Sequence, residues 1–229
     1  MSEAADALDS RPPRTRYKAF PIAWVTTCRK LLIAGGGPET LTRVRHAMAF
    51  DWREIHVCVP APDDDLRALA RADLRISLHE RHCLERDVEY ADFVLEDCGD
   101  PVFAHRIANW CECHRKPLNA CDKPDLCDAF YMSLVPVGPL IVGISSGGDA
   151  PAVSASLRRW LSGQLGEGWA MAGRLMSDLR RSLPSGHRRI HVLKSIARHP
   201  SFMEAVLRND EALLRALIED ELRRLPARD

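Results

Sequence analysis

Four apolar residues, Leu31-Leu32-Ile33-Ala34, run without a break into Gly35-Gly36-Gly37. A short apolar run emptying into a glycine turn is the pattern of a buried strand feeding a helix, and it restricts the fold more than any other stretch here. Gly35, Gly37 and Thr40 occupy the three key positions of a G-x-G-x-x-G turn. In such a turn the first glycine permits the tight bend, the second lets the backbone approach a pyrophosphate, and the helix N-terminus supplies amide donors. The third position calls for a small residue, which Thr40 fits less well. Pro38 suits the scheme, since proline is favoured at a first helical position. Leu41 to Phe50 is then expected to be helix. A plain strand-to-helix connection would use the same residues, so the turn by itself does not define a cofactor site.

The pattern repeats along the chain. Ile55, Val57 and Val59 alternate within a second expected strand, Glu54 to Val59. Asp63, Asp64 and Asp65 follow it, either as a ribose-binding acid or as the cap of a helix from Leu66 to Arg71. Leu74 to Leu78 and Tyr90 to Leu95 read as two more strands, and Phe103 to Cys113 as a helix. This alternation predicts an α/β fold with a doubly wound, Rossmann-like parallel sheet over roughly residues 28–120. Another apolar strand, Leu140 to Ile144, empties into Ser145-Ser146-Gly147-Gly148-Asp149-Ala150, and Pro151 opens a helix. From Leu157 onward only helical spacing remains, as in Met171/Leu175/Leu179 and Ile190/Leu193/Ile196.

At 229 residues, 46% of them apolar, the chain can form one ordinary core with an appended helical region. No window approaches the ~20 apolar residues of a membrane span. Lys+Arg and Asp+Glu both total 32, which removes the drive for general nucleic-acid binding. Residues 1–17 hold acidic residues and no apolar core of a secretory signal, and are expected to be a disordered tail. Eight cysteines without such a signal predict reduced thiols in the cytoplasm.

Cys111-Glu112-Cys113-His114 invites a metal reading, but helical residues two apart face different sides and no second cysteine pair stands at zinc spacing. Cys98, Cys121 and Cys127 read as small buried hydrophobes. His187 and His191, four apart among arginines, either contact an anion or lie on a solvated helix face. Ser145-Ser146 lacks a G-x-S-x-G elbow, so its loop suits carboxylates or phosphates better than nucleophilic hydrolysis. Asp122, in the turn Asn119-Ala120-Cys121-Asp122, carries the best case for chemistry, with an Asx-turn cap as the plainer role.

Taken in order, these stretches resemble the bifunctional precorrin-2 dehydrogenase/sirohydrochlorin ferrochelatase family, also the N-terminal module of siroheme synthase. Phe20-Pro21-Ile22 and Lys30 to Gly37 are similar to the family's "PLF…VLVVGGG". Asn119 to Phe130 is similar to "NVVDdPelcdF", and Ile144 to Pro151 with Leu157-Arg158 to "SSGGtSPvlar.lR". The helical tail, with Arg188-Arg189 and Phe202 to Asp210, follows the family's last region, so the likeness covers about residues 18–215.

The resemblance implies a homodimer in which residues 18–118 form an NAD-binding-type domain, 119–158 a central dimerisation and active-site region, and 159–229 a helical C-terminal region. It implies NAD as cofactor at Gly35, Gly36, Gly37, Pro38 and Glu39, and a tetrapyrrole at Asn119, Ser145, Ser146, Gly147 and Gly148. Asp122 matches the aspartate required for dehydrogenation and implicated in inserting Fe2+ or another divalent metal. A carboxylate there can accept a proton as hydride leaves for NAD, or take pyrrole protons as metal enters. Ser146 matches a serine that is phosphorylated in some relatives. No uroporphyrinogen methyltransferase domain follows, so that step is expected of another protein.

One departure bears on function. Where the family has small residues, "AATdd…N", this chain reads Glu96-Asp97-Cys98-Gly99-Asp100, with Ala104 in place of the asparagine. Two carboxylates beside a pyrophosphate are electrostatically unfavourable and fill space. Together with Thr40, they predict that metal insertion is retained more firmly than NAD-linked oxidation. A second reading is a non-catalytic tetrapyrrole-binding protein. A third, an unrelated NAD(P)-dependent oxidoreductase, requires tight NAD binding.

Overall fold

The structure is a computed structural model and describes residues 19–224; the tail expected at 1–17 lies outside the described residues. The chain forms two compact units, the first ending at Tyr131 and the second beginning at Met132.

The first unit is a parallel sheet of β1 (Lys30–Ala34), β2 (Glu54–Cys58), β3 (Ile76–His79), β4 (Phe93–Glu96) and β5 (Leu118–Ala120), in the order β3-β2-β1-β4-β5. The helices are α1 (Thr40–Met48), α2 (Asp64–Ala72), α3 (Glu85–Tyr90) and α4 (Pro101–His114). Because side chains alternate along a strand, β1 serves two cores. Leu31 and Ile33 pack with Val44, Ala47 and Leu66 from α1 and α2. Leu32 and Ala34 pack with Val88, Ile107 and Cys111 from α3 and α4. The sheet is therefore covered on both faces, as the apolar run of β1 requires.

Local polar contacts set the element ends. Asp63 accepts from the Leu66 amide at 2.7 Å and caps α2, the plainer of its two expected roles. Arg75 donates to the carbonyls of Phe50 at 2.6 Å and Met48 at 3.1 Å, closing the C-terminal end of α1. Tyr90 does not open a strand. Asp87 accepts from the Leu84 amide and pairs with Arg81, which fixes α3, and Tyr90 is its last residue; β4 starts at Phe93. Residues 119–131, expected to open a central region, stay with the first unit: Asp128 and Ala129 both donate their amides to the Leu118 carbonyl.

In the second unit β6 (Ser133–Val137) and β7 (Leu140–Ile144) form an antiparallel hairpin. Its turn needs Gly138, whose φ is 57° and whose missing Cβ would lie 2.9 Å from Ala170 Cα. One helical turn along, Gly173 faces Pro139 in the same way, at 2.8 Å. Five helices follow: α5 (Pro151–Gln164), α6 (Glu167–Ser182), α7 (His187–Arg198), α8 (Pro200–Arg208) and α9 (Glu211–Arg223). Met171, Leu179, Val192, Ile196, Phe202, Val206 and Leu214 form the core of α6 to α9.

Candidate functional site

The strand order reverses between β1 and β4, and in such sheets ligands bind beyond the carboxyl ends of the strands at that switch point. Ala34 pairs with Glu96, and Glu96 with Ala120, so Gly35, Asp97 and Cys121 leave the sheet side by side.

The glycine turn is tied to its own chain. Gly35 donates its amide to the Cys58 carbonyl at 2.9 Å, and Gly37 to the Asp97 carbonyl at 2.6 Å. Gly36, at φ 131°, donates to Thr40 Oγ1 at 3.0 Å, and that hydroxyl donates to Asp97 Oδ2 at 2.8 Å. A Cβ on Gly37 would lie 2.5 Å from Asp97 Oδ1, so the residue that requires a glycine here is Asp97. Thr40 and Asp97 are both buried, while Pro38 and Glu39 are exposed and Glu39 makes no side-chain cap bond to α1.

The second acid of the departure is also enclosed. Glu96 takes the Cys98 amide at 2.8 Å and the Lys123 ammonium at 3.1 Å. Burial first, and then the Glu96 charge, push the Cys98 thiol up to about 12.

Asp122 stands in the turn after β5, exposed and at φ 54°. Left-handed backbone costs a non-glycine residue about 1 kcal/mol, with aspartate among the more tolerant types. Its neighbour Cys121 is buried, and Arg43 Nη2 approaches the Cys121 sulfur at 3.6 Å. The same guanidinium lies 4.5 Å from the centroid of the Tyr131 ring, on which His46 stacks. Burial pushes the Tyr131 phenol up, and Arg43 opposes it. Asn119 donates from Nδ2 to the Ala129 carbonyl at 2.9 Å. Its Oδ1 is, among the described residues, the buried side-chain oxygen or nitrogen with no partner.

Within the second unit, Ser145 Oγ accepts from the Gly147 amide at 3.1 Å and Ser146 Oγ from the Ala150 amide at 3.0 Å. Gly147 and Gly148, at φ 65° and 88°, let the loop turn into α5. Both serine oxygens act as acceptors here, and a hydroxyl in that role can still donate its own proton.

Cys111 is buried in the core and Cys113 exposed, while His114 meets Glu85 at 3.1 Å. Cys127 sits against the Ala120 amide and carbonyl. His187 and His191 are exposed on α7. Among the described residues no three of His, Cys, Asp and Glu stand together as a metal site.

Sequence reasoning missed Arg43, Tyr131 and Lys123. Arg43 was findable: it lies three residues after Thr40, on the α1 face that meets the turn. Nothing in the spacing pairs Lys123 with Glu96.

Residues 22–133 match a family model described as "Putative NAD(P)-binding". The chain is similar to the siroheme synthase of Azotobacter vinelandii, 27% identical over 205 residues, 85% of this chain and 42% of that protein. It is similar to the siroheme biosynthesis protein met8 of Schizosaccharomyces pombe, 29% identical over 171 residues, 71% of this chain and 64% of that protein. A third relative, the siroheme synthase of Psychrobacter sp. strain PRwf-1, is 26% identical over 72% of this chain and 34% of its own length. The chain thus spans between about a third and two thirds of the curated relatives it matches. Among solved structures, "SirC, precorrin-2 dehydrogenase" shares the fold, with a TM-score of 0.69 over 90% of this chain and 100% of that one at 14% identity. The doubly wound sheet carries Asp122 beyond β5, and along most of its length the chain is similar to siroheme synthases and to met8, with the fold of the SirC structure.

Proposed function

We propose that this protein handles a siroheme-type tetrapyrrole and that its reaction is insertion of Fe2+, or another divalent metal, into sirohydrochlorin. The observation that carries the reading is Asp122, an exposed carboxylate held in left-handed backbone beyond the carboxyl end of β5. Insertion exchanges two pyrrole protons for one divalent ion and moves no electrons. Asp122 would accept those protons and guide the ion, whose remaining ligands are the ring nitrogens; a preformed cluster of protein ligands is not needed. Arg43 is placed to offset the charge of a macrocycle carboxylate near Asp122, and Asn119 is proposed as a further substrate contact; the 145–148 loop of the second unit is proposed, by itself, as a contact for substrate carboxylates.

NAD-dependent oxidation of precorrin-2 is supported by the description of the matching family model and by the name of the SirC structure. The residues of the glycine turn do not fit a dinucleotide, because all three glycine amides are engaged and the Asp97 carboxylate abuts Gly37. A second reading, a tetrapyrrole-binding protein without turnover, draws on that same closed turn.

A homodimer is proposed as the working state. Val153, Leu157 and Trp160 recur on one face of α5 and are 67%, 42% and 60% exposed, and Ile141 of β7 is 58% exposed. A second copy of the chain would cover this apolar stripe. All eight cysteines are free, which supports a cytoplasmic location. No helix among the described residues is long and apolar enough to cross a membrane.

The test is anaerobic addition of Fe2+ to sirohydrochlorin, followed by visible absorbance, with wild type and Asp122→Ala. Acceleration by wild type and its loss in the variant are expected. Tetrapyrrole binding without acceleration by wild type would favour the second reading.

A further inference from the structure

The turn between β1 and α1 has the glycines of a dinucleotide cradle and the hydrogen bonding of a finished structure. Cradling a pyrophosphate needs backbone amides free to donate. Here Gly35, Gly36 and Gly37 give theirs to Cys58 O, Thr40 Oγ1 and Asp97 O. The chain of donors continues from Gly36 through the Thr40 hydroxyl to Asp97 Oδ2. The segment after β4 lies directly over the turn: Cys98 O is 3.8 Å from the position of a Cβ on Gly36, and Gly37 Cα is 4.0 Å from that of one on Gly99.

Charge acts in the same direction. A pyrophosphate at this turn would sit against the Asp97 carboxylate, and a like charge at such a distance weakens binding on the order of a thousandfold at the dielectric of a protein edge. The buried acids are not waiting for an external partner. Asp97 has the Thr40 hydroxyl, and Glu96 has the Lys123 ammonium and the Cys98 amide.

We infer that the Gly35–Gly37 turn of this protein is closed to NAD by Asp97 and Thr40, and that the macrocycle reaches it already oxidised by a separate NAD-dependent oxidoreductase. The second half rests on the proposed metal insertion. Oxidation of the reduced macrocycle removes a hydride and a proton, and the hydride needs an acceptor that this turn does not admit. Insertion needs none, since the ion replaces two protons.

The first half is tested by calorimetric titration of the full chain with NAD+. Wild type is expected to give no binding below about millimolar concentration, and Thr40→Ala/Asp97→Ala to gain at least a hundredfold. Micromolar binding by wild type overturns the inference, as does a folded double variant with no gain. Asp97→Asn, which keeps the shape and the acceptor for Thr40, guards against misfolding; it is expected to gain at least tenfold, and no gain overturns the inference. Absorbance titration with sirohydrochlorin in the same preparations separates the two claims. Absence of tetrapyrrole binding would sink the proposed function while the NAD result stood alone; NAD binding with intact metal insertion would sink only this inference.

Discussion

The Glu96 carboxylate, fully shielded from water, is held 3.1 Å from the Lys123 ammonium, which keeps about a quarter of its surface exposed (24%). Removing one partner of such a pair strands a buried charge. Lys123→Met is expected to cost roughly 2–4 kcal/mol, towards the low end for a broken buried pair because Lys123 is partly solvated. Glu96→Gln with Lys123→Met should recover most of that loss. Urea unfolding of wild type and the two variants measures both terms.

Asp122 separates stability from activity. Asp122→Gly relieves about 1 kcal/mol of left-handed strain but adds a similar amount of freedom to the unfolded chain. Its stability is therefore expected to stay within ~0.5 kcal/mol of wild type, while metal insertion falls about 10²–10⁴-fold. A large loss of stability instead would make Asp122 a turn cap. Melting curves beside the absorbance assay decide.

Gly168 sets propensity against packing. It lies near the start of α6, where alanine would gain about 1 kcal/mol on propensity alone. A Cβ there, however, would press into the Val206 carbonyl oxygen of α8. Backbone cannot yield as a side chain can, so Gly168→Ala is expected to destabilise by about 1–3 kcal/mol. A raised melting temperature would show that α6 and α8 are further apart than described.

Asp73 gives a pH signature. Its side-chain hydrogen bond with Arg75 holds its carboxyl below the usual carboxylate range, the same Arg75 that closes α1. A lowered folded value means that the pair's stabilisation is present above the unfolded value, about 3.9, and is lost as pH falls through the folded one. Asp73→Asn should therefore lower the urea midpoint at neutral pH and differ little from wild type near pH 2. An equal deficit at both would assign the effect to packing.

How much could be read from the chain depended on whether a residue's role is local. The run Leu31–Ala34 and its glycines specify β1 and the turn because burial and backbone freedom are properties of those residues. Tyr90 reads as the first residue of a strand, but Asp87, three residues earlier, decides for helix through a contact with Leu84 that alternation cannot reveal. The site divides similarly. Asp122 was legible because a carboxylate in a turn after an apolar strand is conspicuous. The acids Glu96 and Asp97 were legible as a departure, but their partners were not. Thr40 and Lys123 are 57 and 27 residues away, and only the register of β1, β4 and β5 brings them together.

The reciprocal fit of Gly138 against Ala170 and of Gly173 against Pro139 joins the hairpin turn to one face of α6 with no room for a side chain on either glycine. The hairpin therefore cannot detach by itself. The amide protons bonded within its ladder are therefore expected to be protected from exchange together with those of the facing turns of α6.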